Sequence, residues 1–440
     1  MRLDLRRVKR EYIPDSHKFT SDFNSVIFIV VWNSLGFFFV DFIMTYIISQ
    51  VLGGSGVAIG LFPAFLTIGG LISSSFIGYL TDRYSKKILV MIGAFVRGLS
   101  YFGLYTSILI QSLVGMYCSA FLLGFGAYIF WNPLDTIISE KSSKYHRSSA
   151  FGKRRFALGI GMVLGTIVGF TIFSLTNIFM PDNAFLIFSA IPIFGMANFY
   201  AGIQFSRKVD ENKKFQYPNN SIEGTIEKLE SEFNDIKNPE KTVHFYLLGI
   251  ILLFLALFLG ATNAGVYRPF ILPLIFLNIS SNPSLVSWFF LPTSIIGTII
   301  APKLGTIADK INPYLGLSIA STIGGFVTFL IIICKDLWFF AFLLIIDNTI
   351  MLTTGFIMIN FISRVSIKHR GKLFGLISAF ESTGMIIGPF LGGIVWDTVS
   401  PQTPFIISII VEWSLIPFFL LGIYILNPYI METIDKIKGK

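Results

Sequence analysis

Long apolar runs separated by short polar breaks repeat along the whole chain. Segments at about 24–50, 55–81, 87–110, 112–139, 150–176, 184–206, 243–277, 283–309, 312–334, 337–365, 371–398 and 402–427 each carry roughly 20 or more mostly apolar residues. That is the length an α-helix needs to cross the hydrocarbon of a bilayer. Breaks fall at Gly53-Gly54, Pro181-Asp182, Asn282-Pro283, Asn312-Pro313 and Ser400-Pro401, residues that turn or end a helix. The pattern predicts an all-α membrane protein of twelve transmembrane helices. Its longest polar interval separates six spans from six. This gives a basic N-terminal arm at 1–23, a first bundle at 24–206, a linker at 207–242, a second bundle at 243–427 and a tail at 428–440.

Within the linker, Ile222, Ile226, Leu229, Phe233 and Ile236 recur every three or four residues among glutamates and Lys228. An amphipathic helix is expected there, packed on the bundle or the membrane surface, with a site for a regulatory partner as the alternative.

Composition supports the membrane reading. Hydrophobic residues make up 53% and charged residues 13%, with a mean hydropathy of +0.72; soluble domains carry roughly a quarter charged residues. The net charge of +9 sits in short clusters flanking apolar spans, which argues for orientation in a membrane and against nucleic-acid binding. With the N-terminus in the cytosol, all of the 34 Lys and Arg except Arg97, Arg268 and Lys335 fall at the cytosolic side. A multi-pass protein of the plasma membrane with both termini cytosolic is expected. Nothing in the first residues resembles a cleaved signal. Cys118 and Cys334 lie in different apolar segments and predict no disulfide.

One polar burst stands out between the second and third spans, Gly78-Tyr79-Leu80-Thr81-Asp82-Arg83-Tyr84-Ser85-Lys86-Lys87. A shorter copy, Gly305-Thr306-Ile307-Ala308-Asp309-Lys310, follows 227 positions on. A second repeat pairs Phe151-Gly152 with Phe374-Gly375, and Gly161, Gly165 and Gly169 with Gly384, Gly388 and Gly392, at an offset of 223. The chain thus reads as a duplication, of the kind that builds many secondary transporters around a central site.

The loop resembles the Gly-x-Leu-Ala-Asp-Arg-x-Gly-Arg-Lys pattern of the major facilitator superfamily. Gly78, Leu80, Asp82, Arg83, Lys86 and Lys87 match, and Ser85 departs. The segment from Arg370 to Gly393 looks most like efflux members, although the arginine that such members carry ahead of the glycine pair on the fourth span is missing before Gly124 and Gly126. The resemblance implies two pseudo-symmetric six-helix bundles rocking about a midplane cavity lined by the first, fourth, seventh and tenth spans. It implies that Gly78, Asp82, Arg83, Lys86, Lys87, Gly305 and Asp309 act as conformational-switch loops, Asp82 being held by the start of the eleventh span near Gly371. It also implies that the glycine faces of the fifth and eleventh spans slide at the seam between halves; close packing in a static bundle would use the same glycines.

Ionisable residues at membrane depth are costly and each needs a reason. By span number, Asp41, Arg268 and Asp347 are expected to face the cavity, together with Trp32, Asn33, Tyr128, Trp131, Asn132, Asn263, Tyr267 and Asn348. Aromatic and amide groups in that mixture suit an organic solute. Glu381, Asp347 and Asp41 are the proton-coupling candidates. For Glu381 the alternative is a neutral acid hydrogen-bonded to backbone. Arg268 precedes Pro269, so the seventh span is expected to break there. Arg268 then closes a gate with Asp41, binds an anionic solute, or forms a static pair, Asp41 being equally able to serve Arg97. Arg97 and Glu412 read as structural, and Asp135 with Glu140 as an inner charge network.

No phosphate-cradling run and no Cys/His spacing for a metal occurs, so no cofactor, metal or enzymatic activity is expected. The expected partners are a small-molecule substrate, lipid, and protons or sodium as coupling ion, acting on a monomer. Proton-coupled efflux leads; symport of a sugar or carboxylate, and a non-transporting scaffold or receptor, are the alternatives.

Overall fold

The computed structural model describes residues 19–143, 147–215, 243–308, 311–365 and 370–427. Asp309, the linker helix expected around 222–236 and the C-terminal tail lie outside these residues.

Among the described residues fifteen α-helices account for the twelve spans. The first span is α1 (Phe23–Asn33) and α2 (Phe37–Tyr46), continued by a π-turn at Ile47–Val51. Then come α3 (Gly56–Arg83), α4 (Lys86–Leu109), α5 (Leu113–Glu140) and α6 (Arg147–Phe179); the sixth span combines α7 (Ala184–Ile187) and α8 (Ala190–Lys208). In the second half, α9 (Val243–Tyr267), a 3-10 turn at Arg268–Phe270 and α10 (Ile271–Asn278) make one span. It is followed by α11 (Pro283–Ala308), α12 (Pro313–Ile333), α13 (Leu337–Val365), α14 (Arg370–Thr398) and α15 (Thr403–Leu426). Among the described residues ten helices are long and apolar enough to cross a membrane; α7–α8 and α11 complete the twelve. A lipid-exposed chain must satisfy its backbone internally, which is why most non-helical residues fall at the polar breaks and interruptions within spans are short.

Helix starts follow from local capping. Ser55, Ser85 and Ser112 each accept a backbone N–H three residues on, opening α3, α4 and α5, and Asn312 accepts from Tyr314 N to open α12. The first span of each half is broken. Arg268-Pro269 interrupts the seventh span as expected. The break in the first span, at Ser34 to Gly36, has no counterpart in the sequence pattern; Gly36 adopts φ +88°, and the Phe194 ring occupies the place of a side chain there.

We call the end where α1 begins and α15 finishes the near end. There the N-terminal half is sutured shut. Thr20 N donates to Lys141 O (3.0 Å) and Phe215 N to Glu140 O (2.9 Å). Lys141, nearly fully buried, pairs with Asp22 at 2.6 Å and donates to the Asp210 and Lys213 carbonyls. Glu211 caps α4, accepting from Ser85 Oγ and from the Lys86 and Lys87 amides. Burial pushes both carboxyls up, yet the hydrogen bonds from Lys141 and Thr20 to Asp22, and from Ser85, Lys86 and Lys87 to Glu211, hold each below its ordinary value. A lowered folded-state value means stabilisation that is complete above the ordinary values of 3.8 and 4.5 and is lost as pH falls through the depressed ones. Hydrogen exchange at the start of α4 should therefore be flat from neutral pH to about 5 and accelerate below about 4, after correction for intrinsic rates; Glu211→Gln should remove most of that pH dependence.

At the far end the halves meet. Gly60 of α3 touches Pro389 of α14, and Gly393 lies on Gly56 and Val57. Phe42 packs on Phe290 (5.4 Å) and Tyr46 on Phe276 (5.5 Å), and Asn177 Nδ2 donates to Ser284 Oγ (3.3 Å). Toward the near end Gly78, Gly152 and Gly355 have open space beside them, and Ser378 to Glu381 are exposed. The Arg155 guanidinium over Phe356, at 5.5 Å, still bridges the halves there.

The expectation that the glycine rows slide at the seam between halves is corrected. Gly161 and Gly165 pack on backbone of the first span around Val31 to Gly36, and Gly169 on the Phe39 ring. Gly384, Gly388 and Gly392 pack on α9 between Phe258 and Val266. Each row seats a helix against the first span of its own half, and the repeat of this arrangement is the pseudo-symmetry of the fold.

Candidate functional site

The break in the seventh span ends α9 at Tyr267 and turns Arg268 towards α13. Tyr267 OH donates to Asp347 Oδ1 at 3.1 Å, and Arg268 Nη2 stands 3.7 Å from Asp347 Oδ2. Asp347 is buried and Arg268 about a third exposed. Asp41, exposed on α2 beyond the break of the first span, lies within Coulombic range of Arg268. The two broken spans thus bring one charge from each half together.

A third carboxyl, which span number alone marks as structural, belongs to this cluster. Glu412 of α15 presses against Gly324 of α12, leaves Oε2 buried without a hydrogen-bond partner among the described residues, and interacts with Asp347, Arg268 and Tyr267. Asn263 Oδ1, Thr328 Oγ1 and Ser408 Oγ are likewise buried and unpartnered among the described residues. Ser408 lies one turn before Glu412 on α15 and Thr328 one turn after Gly324 on α12, so these helices share a polar stripe. Asn348 neighbours Asp347 and is half-buried.

The N-terminal half holds a separate polar centre. Arg97 is fully buried; its Nη1 donates to Asn33 Oδ1, and Asn33 Nδ2 donates to Asn198 Oδ1 at 2.8 Å. The Phe37 ring lies 4.4 Å from the guanidinium carbon, a cation–π contact. Asn33 therefore points into its own bundle and does not line the seam, and Arg97 is served by Asn33 and not by Asp41. Trp32 packs on Tyr200 of α8 at 5.0 Å, also away from the seam. Tyr128 fills the notch at Gly70 of α3. Trp131 lies under the Arg154 guanidinium at 4.6 Å and stacks with Phe37 at 6.5 Å; Asn132 beside it is half-buried.

Asp135 and Glu140 do not share one network. Asp135 pairs with Arg154 at 2.7 Å, whereas Glu140 pairs with Lys86 at 3.2 Å and Lys214 at 3.5 Å. Asp82 and Arg83 are exposed, Arg83 lying over Tyr79 at 4.3 Å. Ser85, the departure from the loop pattern, is explained by its two contacts, capping α4 and donating to Glu211. Gly305 falls close to the end of α11. Glu381 is exposed on α14.

The Major Facilitator Superfamily model matches residues 26–366. The chain belongs to that family. Among its relatives, Multidrug resistance protein 2 of Bacillus subtilis (strain 168) is 24% identical over 360 residues, covering 79% of this chain and 82% of the relative. The class H tetracycline resistance protein of Pasteurella multocida is 29% identical over 167 residues, 37% of this chain and 40% of that one. Solved structures of the same fold include tetrameric PepTSo2, with TM-score 0.65 and 15% identity over 94% of this chain and 98% of that chain. The nucleoside transporter NupG gives TM-score 0.64 and 15% identity over 91% and 98%. As a superfamily member the chain is a multi-pass membrane transporter and not an enzyme. The seam between its halves, where Asp41, Arg268 and Asp347 meet, is the region that alternating access has to rearrange.

Proposed function

We propose that this facilitator exports small amphipathic organic compounds in exchange for protons, with its near end and both termini in the cytosol at the plasma membrane. The charge count around Arg268 carries the reading. One guanidinium stands among three carboxyls, Asp41, Asp347 and Glu412. An unpaired carboxylate at membrane depth costs several kcal/mol, so the cluster holds protons, and where they sit depends on which acid Arg268 faces. Glu381, exposed on α14, is a further candidate acid. A solute entering there shifts Arg268 and with it the protons, which couples binding to proton release.

Lysines and arginines gather at the near end, as the positive-inside rule requires of a cytosolic face. The described conformation is then open to the cytosol. The switch loop at Asp82 is disengaged in it, and Asp82 would engage α14 when that side shuts. Each chain carries both halves of the seam, so a monomer suffices.

A carboxylate solute is the second reading, favoured by Arg268 Nε, which has no hydrogen-bond partner among the described residues. Proteoliposome flux separates the two, with ethidium, lactose and citrate as solutes and proton and sodium gradients imposed one at a time. Ethidium accumulation driven by the proton gradient and abolished by a protonophore is expected. Citrate moving in the direction of the protons, or flux driven by sodium alone, would reject export by proton exchange.

A further inference from the structure

Asp397 closes the seam from the opposite half. It is the penultimate residue of α14, and its carboxylate spans the seam to the first turn of α3. Gly56 N donates to Oδ1 at 2.6 Å and Val57 N to Oδ2 at 3.0 Å. The first N–H groups of a helix have no partner inside it, and its N-terminus carries partial positive charge, so a two-pronged carboxylate there is a strong cap. The cap comes from another half of the molecule. Trp396, the preceding residue, lies on Gly56 and stacks on Phe270 at 5.1 Å, which fixes the end of α14 over both α3 and the broken seventh span.

We infer that Asp397 is a positioning residue for transport, the releasable lock that holds the far end shut. The two helices are built alike. Asp82 lies 26 residues beyond the first residue of α3, and Asp397 lies 27 beyond the first of α14. Because α3 and α14 run antiparallel, with Gly60 on Pro389 and Gly56 on Gly393, Asp397 reaches the start of α3 at the far end, while Asp82 closes α3 at the near end, where α14 begins. Asp397 is engaged in this conformation while Asp82 is exposed; rocking breaks one cap as it offers the other, so neither conformation leaves both helix starts without an acceptor.

The lock can be read without knowing the substrate, by hydrogen exchange of the full-length protein in nanodiscs. Asp397→Ala should speed exchange about tenfold at Gly56 and Val57, the scale of one lost charge-assisted cap. It should also speed exchange at the remote far-end seam of α2 and α11, where Phe42 meets Phe290. Asp397→Glu, which keeps the acceptor, should restore most of the protection in both places. The tie of Thr20 to Lys141, which lies within one half and away from both caps, should not change, which also reports that the variant is folded. Acceleration confined to Gly56 and Val57 would reduce Asp397 to a local cap, and unchanged exchange at both places would remove it altogether; either overturns the proposal.

Discussion

Asp347→Asn is expected to lower proton-driven transport at least tenfold while the protein still inserts and folds. The substitution keeps the oxygen that accepts from Tyr267 but removes the negative charge facing Arg268. Breaking a buried ion pair by removing one partner costs about 3–5 kcal/mol. Arg268 is a third exposed and retains Asp41, so a value of about 2 kcal/mol is more realistic. The effect on coupling should exceed the effect on stability, because the proton count of the cluster changes from three shared carboxyls to two. A double-mutant cycle with Arg268→Met checks this: thermal stability should recover in the double variant, since both charges leave together, whereas transport should not. Recovery of proton-driven flux in the double variant would reduce the pair to scaffolding.

A side chain at position 60 is the second large effect expected. A Cβ on Gly60 would collide with the Pro389 carbonyl oxygen, and that neighbour is backbone, which cannot step aside as a flexible side chain can. Gly60→Val must part α3 from α14 at the far end. Overpacking of this kind costs about 1–3 kcal/mol, enough to shift the balance between closed and open far ends roughly 5- to 150-fold. Net transport should stop, and a cysteine placed at Asn177 in a background lacking Cys118 and Cys334 should become reactive towards maleimide from the far side. Gly78→Val, at a position with open space beside it in this conformation, should leave that reactivity unchanged.

The sequence disclosed the spans far better than it disclosed their partners. Twelve crossings follow from apolar length alone, and the break at Arg268-Pro269 announces itself because proline cannot continue the helical hydrogen-bond ladder. Gly36 gives no such notice: one glycine among 39 is required because the backbone is left-handed there and because Phe194 fills the space a side chain would take. The glycine rows of α6 and α14 predicted a close approach and were silent on what approaches; the answer, α1–α2 and α9, is a tertiary fact. Arg268 and Asp347 could be nominated because charge at membrane depth is rare, and Tyr267 because its span is one that the superfamily resemblance places at the cavity. Asn33 was misplaced since an amide next to a tryptophan reads equally well as cavity lining or as the partner of a buried arginine. Glu412 and Asp397 were passed over for opposite reasons, one sitting on a span counted as support and the other so near a helix end that it resembled an ordinary surface charge. What each touches depends on the register between helices distant in sequence, and no local pattern encodes it.

The fastening of Asp22 to Lys141, with Asp210, Lys213 and Phe215 drawn into the same knot, bears on how the protein could be made. The polypeptide leaving the sixth crossing is tied beside the place where the first crossing begins, so the leading portion ends as a closed loop without help from the C-terminal half. Two separate polypeptides, one stopping shortly after Phe215 and one starting before Val243, should therefore find each other when expressed together and rebuild a working carrier.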